Sequence, residues 1–200
     1  MMSKKCFNLG TLSEDFDESD CMFKEVDERS YFYATNEYIP CSSISPITWE
    51  DLEISDSTEI PDIVEKGDKL VSKEVAKLIM SFDPYGVEIY PANLLIENEL
   101  LTERYIVSIK NVIDVIDTER SRIIQNPKPH RPPIVSRLAI CPEKLELIPL
   151  HKRLVFRVKE SNTVFFDVSI VEKFIAGLMN GHYNLCQAIP FDTSELTPTI

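Results

Sequence analysis

The stretch Arg153 to Gly181, RLVFRVKESNTVFFDVSIVEKFIAGLMNG, changes hydrophobic period partway along, and that change sets the fold class. Leu154, Phe156 and Val158 fall on one face of an extended chain, Glu160 to Asn162 offers a turn, and Val164 to Val168 runs back. This reads as a β-hairpin with a short loop. Val171, Phe174, Ile175, Leu178 and Met179 then recur at helical spacing behind Ser169, which has Glu172 three residues on as in a capping box, and Asn180-Gly181 is a stop signal. YNLCQAIP, Tyr183 to Pro190, resumes as a strand. A strand that feeds a helix and returns as a strand predicts an α+β fold, with mixed or antiparallel sheets packed by a few amphipathic helices.

A second segment repeats the order. In KLVSKEVAKLIMSFDPYGVEIYP, Ser72 is a cap candidate, Val75, Leu78, Ile79 and Phe82 have helical spacing, Asp83-Pro84-Tyr85-Gly86 ends the helix, and VEIYP resumes as a strand. Both segments run strand end, Val-Ser, amphipathic helix, turn, strand, proline. The shared order predicts a weak internal duplication, as two related α+β halves or two sheets each packed by a helix. Between them, RYIVSIKNVIDVIDTERSRII opens with the β-branched run Tyr105 to Ile109. Val112, Ile113, Val115 and Ile116 read as its continuation into a turn. QNPKPHRPPIV follows, a proline-dense loop over about residues 125–135, read as a stiff surface connection between halves rather than an SH3-type ligand. In the N-terminal third, SYFYATNEY (Ser30 to Tyr38) favours strand, and IPCSSISPITWEDLEI is broken by Pro40 and Pro46.

Two hundred residues, 44% hydrophobic, suffice for one large core or two small ones. The start carries no apolar run of signal length, and nowhere are there the roughly 18 consecutive apolar residues that a membrane span needs, so a soluble, cytoplasmic protein is expected. Five cysteines, dispersed and never paired as CxxC, read as free thiols; His130, His151 and His182 are equally scattered.

Charge divides the chain unequally. Residues 1–68 hold 17 acidic and 5 basic residues, a net of -12, whereas residues 69–200 hold 16 of each. The excess includes SEDFDESD, Ser13 to Asp20, where five carboxylates surround Phe16. Taken alone, that stretch reads as a solvated loop or a mobile end. Together with Glu25, Asp27, Glu28, Glu50, Asp51 and Glu53 it makes an acidic part, 1–68, attached to a neutral part, 69–200. Such segregation speaks of partners and association rates, and it argues against nucleic-acid binding, which requires clustered Lys and Arg.

Chemistry-bearing motifs are scarce. No P-loop, GxGxxG, HExxH, GxSxG or EF-hand loop occurs, and five glycines leave little material for a phosphate cradle. PDIVEK, Pro61 to Lys66, is similar to the Pro-Asp and Glu-x-Lys elements of metal-dependent nucleases. Its Glu65 and Lys66 are adjacent, however, so they cannot share one strand face. In NVIDVIDTERS, Asp114 and Asp117 could bind a divalent metal or share a proton, which keeps a small metal-dependent hydrolase as the alternative function. The plainer reading has them bonding nearby backbone N–H groups or Arg120 and Arg122 as turn residues.

The motifs LVSKEVAKLIMSFDPYGVEIYP, RYIVSIKNVIDVIDTERS and RLVFRVKESNTVFFDVSIVEKF resemble, in order and spacing, the eleventh catalogued immunity family of bacterial polymorphic toxin systems, over roughly residues 70–190. The shared features are a Val-Ser-capped helix leading to DPxGVExxP, a YxxxxxxNVIDxID strand-turn with a serine shortly after, and an LVFRxK hairpin feeding a second helix. The resemblance implies a non-enzymatic cytoplasmic antitoxin that binds and neutralises a toxin secreted in bacterial competition, with no cofactor, no metal and no catalytic residue. The acidic first third adds that the target is a basic, nuclease-type toxin domain whose substrate groove it plugs. The contact residues expected are Glu14, Asp15, Asp17, Glu18, Asp20, Glu50, Asp51, Glu53, Asp114 and Asp117, with Phe16, Phe23, Tyr31, Tyr33 and Trp49 as candidate anchors. Nucleic acid and membrane are not expected as partners.

Overall fold

The computed structural model describes residues 8–15, 23–25, 47–51, 60–66, 68–96, 99–125, 134–161 and 163–193. The elements in chain order are β1 (Asn8–Glu14), β2 (Phe23–Glu25), β3 (Ile47–Asp51), β4 (Ile63–Lys66), β5 (Asp68–Ser72), α1 (Lys73–Met80), β6 (Val87–Ile96), β7 (Glu99–Ile109), β8 (Val112–Ile113), β9 (Arg122–Ile124), β10 (Ile134–Arg137), α2 (Pro142–Glu146), α3 (Leu150–Arg153), β11 (Val155–Val158), β12 (Val164–Asp167), α4 (Val168–Met179) and β13 (Cys186–Asp192). The fold is α+β. One sheet runs β2-β3-β6-β7-β5-β4, another β13-β1-β12-β11-β8, and β9 and β10 form a separate ribbon. Ser30 to Tyr38 and residues 126–133 of the proline-dense loop lie outside the described residues; the loop joins the two strands of the ribbon.

The two strand-helix-strand segments adopt one arrangement. In the first, the hairpin β4–β5 feeds α1 and returns as β6, and β7 lies antiparallel between β5 and β6. In the second, the hairpin β11–β12 feeds α4 and returns as β13, and β1 lies antiparallel between β12 and β13. The order β6-β7-β5-β4 therefore matches β13-β1-β12-β11 strand for strand, with the same directions. Only the source of the inserted strand differs. β7 follows β6 directly, with Ile96 opposite Glu99, whereas β1 comes from near the N-terminus and sets Asn8 opposite Asp192. The first 68 residues thus supply strands to both sheets.

The caps differ between the halves. Ser72 caps α1, its hydroxyl accepting from Val75 N, as the sequence suggests. The capping box expected at Ser169 and Glu172 does not form. Asp167 is the cap of α4, accepting from Ser169 N at 2.9 Å and from the Ser169 hydroxyl at 2.6 Å, because a carboxylate two residues earlier already satisfies the first turn. The apolar face of α4 is Ile170, Val171, Phe174 and Gly177, with Ile175 and Leu178 at its margin. Met179, expected on that face, is 83% exposed in the final turn.

Both sheets contribute to one main cluster. Leu12, Ile63, Val71, Val107, Ile109, Val155 and Phe166 pack there with Val75, Ala76 and Ile79 of α1 and Ile170, Val171 and Phe174 of α4. Gly10 of β1 lets α4 lie close: a Cβ there would meet Val171 Cγ2 at 2.8 Å and Ile189 O at 3.1 Å. The opposite face of the five-stranded sheet forms a second cluster. Leu9, Ile113, Phe156, Val158, Phe165 and Phe191 meet Val115, Ile116, Ile140 and Leu145 there. Strand β11 is therefore buried on both faces. Phe156 and Val158 share one face as expected, but Leu154 precedes the strand and packs in the main cluster. The opposite face of the six-stranded sheet carries Val64, Leu70, Ala92, Leu94 and Ile106. Pro91 is tolerated in β6 because pairing with β3 begins only at Ala92.

The run Tyr105 to Ile116 is not one strand. It breaks at Lys110-Asn111 and passes from the six-stranded sheet (β7) to the five-stranded sheet (β8), where β8 pairs parallel with β11. The cause is Asn111. Its buried side-chain amide donates to Lys152 O at 2.7 Å and Val155 O at 2.8 Å, and its carbonyl accepts from Arg157 N at 2.8 Å. Those bonds turn the chain out of one ladder and into the other.

Candidate partner-binding site

The expected contact residues do not share one surface. Glu14 ends β1 and is only 3% exposed, so its carboxylate is not displayed to a partner. Asp15 is half-buried and its N–H donates to Leu185 O at 3.0 Å. Glu50 is exposed on β3, in the other sheet, and Asp51 ends the same strand. Asp17, Glu18, Asp20 and Glu53 lie outside the described residues, as do Phe16, Tyr31 and Tyr33.

Asp114 and Asp117 follow β8 and engage different partners. Asp114 is exposed and faces the lysines of Lys144 and Lys159, each at 3.7 Å. Asp117 closes a turn. Its Oδ1 accepts from Glu119 N and Arg120 N at 3.1 and 3.0 Å, and its Oδ2 accepts from Arg120 Nε at 2.6 Å. The hydrogen-bonded Arg120 guanidinium holds the Asp117 carboxyl below the usual carboxylate range. Arg120 also donates to Ile140 O at 2.8 Å, tying the turn to the isolated bridge between Ile116 and Ile140. Asp117 is therefore the turn residue of the plainer reading, while Asp114 pairs with lysines instead of with Arg120 or Arg122. Among the described residues, no group of three or more His, Cys, Asp or Glu side chains could hold a metal.

The motifs quoted for the immunity family meet around Asn111. Lys110 N donates to Gly86 O at 2.8 Å, and Gly86, with φ +68°, leaves room for Asn111, whose Cβ would lie 3.1 Å from an added Cβ. Tyr85 N donates to His151 O, and the Asn111 amide holds Lys152 and Val155 at the start of the LVFR strand. In NVIDVID, Ile113, Val115 and Ile116 are core residues. Ser121 completes the joint, bonding Ala139 through both N–H and C=O. These motifs therefore build the connection between the sheets, and the chemistry they carry is architectural.

A second joint is absent from the sequence reading. The Asp62 carboxylate accepts from Asn184 N at 2.7 Å, its N–H donates to Asn184 O, and its carbonyl accepts from Ser72 N. This clasps the start of β4 and the cap of α1 to the turn before β13. Beside it, Tyr183 stacks on Phe174 at 4.9 Å, in the space that Gly177 leaves open. Burial, then the Asp62 charge, raises the Tyr183 hydroxyl; burial, then Asp62 and Asp15, pushes the Cys186 thiol up to about 12. A buried, protonated thiol is inert structure.

No protein-family model matches the chain, and no curated protein matches it in sequence. The likeness to the immunity family rests on the quoted motifs. No helix among the described residues is long and apolar enough to cross a membrane.

Proposed function

We propose that the chain is an antitoxin-type immunity protein, a non-enzymatic cytoplasmic binder that neutralises a basic, nuclease-type toxin domain by covering its substrate groove. The observation that carries this reading is the charge division: a net of -12 over residues 1–68 beside a net of zero over the remainder. Among the described residues, the ion pairs Lys73–Glu103, Lys110–Glu88, Arg120–Asp117 and Asp114 with Lys144 and Lys159 lie within the balanced part. A concentrated negative field accelerates encounter with a basic groove and repels the groove's polyanionic substrate. The balanced part supplies the scaffold on which this surface is held.

The test is co-expression with the toxin domain encoded by the neighbouring reading frame. Growth should be rescued and the two chains should co-purify as a stable complex. Toxicity unchanged by co-expression, with no complex recovered, refutes the proposal.

A further inference from the structure

Residues 120–142 include Arg120, Arg122, Lys128, Arg131 and Arg137 and no aspartate or glutamate. Arg120 is used internally, its guanidinium donating to Asp117 and to Ile140 O. Among the described residues, no ion pair or side-chain hydrogen bond engages the guanidinium of Arg122 or Arg137, and both stand exposed on the ribbon of β9 and β10. Ile123 and Val135 turn one face of that ribbon onto the second core cluster. The outward face carries the cross-strand pair Ile124 and Ile134, 42% and 49% exposed, and next to it the pair Arg122 and Arg137.

The arginine pair is the product of an irregularity. Ile124 faces Ile134 and Ile123 faces Val135, so regular pairing would set Arg122 opposite Ser136. The register instead shifts between Val135 and Arg137: Ser136 is passed over, its hydroxyl donating to Arg122 O at 3.3 Å, and Arg137 comes to face Arg122. A β-bulge of this kind re-aims a side chain, and such bulges gather beside functional sites. What this one brings together opposes folding, because like charges directly opposite on a strand pair are destabilising. A local arrangement that costs stability, with no compensating contact among the described residues, marks a surface kept for a ligand. Two adjacent guanidinium groups call for an anion.

We propose that this ribbon face binds an extended acidic segment of another protein, with one carboxylate held by both arginines and an apolar side chain seated on Ile124 and Ile134. The arginine fork matches a carboxylate, and arginine beside an apolar centre is the composition of a protein-binding patch. A nucleic acid would meet isoleucines where it needs cations, and would approach a chain of net charge -12. Arg122 and Ile124 are two places apart on one strand, about 7 Å, so the recognised segment has its acidic residue two places from its apolar one. The site draws on no residue of the acidic first third and stands whether or not the chain neutralises a toxin.

The probe is a fluorescent, end-blocked peptide carrying Ile-Thr-Glu, titrated with the full chain at about 0.03 M salt and followed by anisotropy. Saturable binding with a Kd below about 1 mM is expected. The same peptide with glutamine in place of glutamate should bind at least about tenfold more weakly. Arg122→Gln with Arg137→Gln should weaken binding of the glutamate peptide by a similar factor and leave the melting temperature unchanged or raised, since the like-charge pair is gone. Ile124→Ser with Ile134→Ser should weaken binding as well, which gives a second reading of the same face. No binding up to about 1 mM, or equal affinity for the two peptides, overturns the proposal. An arginine variant that melts below the parent protein also overturns it, because the pair is then structural. So does a short DNA duplex that binds more tightly than the peptide through the same arginines, or a dimer of the chain that the arginine variant abolishes.

Discussion

The two halves of the molecule reach one strand arrangement by different routes. In the first, hairpin, helix, return strand and inserted strand follow one another from β4 to β7. In the second, the inserted strand β1 precedes the hairpin by well over a hundred residues of chain. The first half closes through local contacts; the second must bring distant segments together, at a larger loop-closure cost before any contact forms. The difference teaches that the four-strand, one-helix packing is specified by faces and caps, and that the order of delivery is secondary.

That comparison can be broken most severely at α4. Phe174, fully buried and stacked on Tyr183, has its counterpart in the smaller Ile79 of α1. Phe174→Ala should cost about 3–5 kcal/mol and Ile79→Ala roughly 2–5 kcal/mol, by urea unfolding. If removing the aromatic proves harmless, the shared core between the helices is misdescribed. At the joint between the sheets, Asn111→Ala strands two carbonyls and should cost roughly 1–3 kcal/mol for each that stays dry.

Gly177 offers a change of sign. An added Cβ would lie 2.2 Å from the Tyr183 ring, so Gly177→Ala should destabilise by roughly 1–3 kcal/mol. In a Tyr183→Ala background the same change should stabilise, by up to about 1 kcal/mol, through helix propensity alone. Smaller still are the caps: Ser72→Ala and Asp167→Ala should each cost about 1 kcal/mol, and Ser169→Ala should cost less than Asp167→Ala. At low pH, Asp117 supplies the sign. Its folded pKa lies below the ordinary value of 3.8, so its stabilisation is complete above that value and is lost as pH falls through the depressed one. Asp117→Asn should therefore lower stability near neutrality and flatten the acid limb of a stability-pH profile.

Much of this comparison was legible in the sequence. The helix after Ser72, the hairpin, the return strand within Tyr183 to Pro190 and the repeated strand-helix-strand order follow from period and turn residues; the shared Val-Ser cap does not, because Asp167 and not Ser169 caps α4. The position of β1 between β12 and β13 was not legible, because NLGTLSE carries no mark of its distant neighbours. The break at Asn111 was hidden for a related reason. Val112 and Ile113 are as β-favouring as the residues before them, and what diverts the chain is a pair of carbonyls some forty residues away. Asp117 read correctly as a turn residue, since its partners are within three positions. Asp114 did not, since Lys144 and Lys159 approach only in the folded chain. For the expected contact set, charge counting found an acidic part but not its display. Burial of Glu14 depends on the sheet closing around β1.

The proposal that the acidic third selects a basic partner meets its most direct test in association kinetics. The on-rate of the full chain for a basic toxin domain from a neighbouring reading frame, the partner the proposal requires, should be measured by stopped flow across ionic strength. Steering by the -12 charge of residues 1–68 predicts an on-rate that falls steeply, by tenfold or more, between about 0.02 M and about 0.5 M salt. An on-rate indifferent to salt would contradict the account.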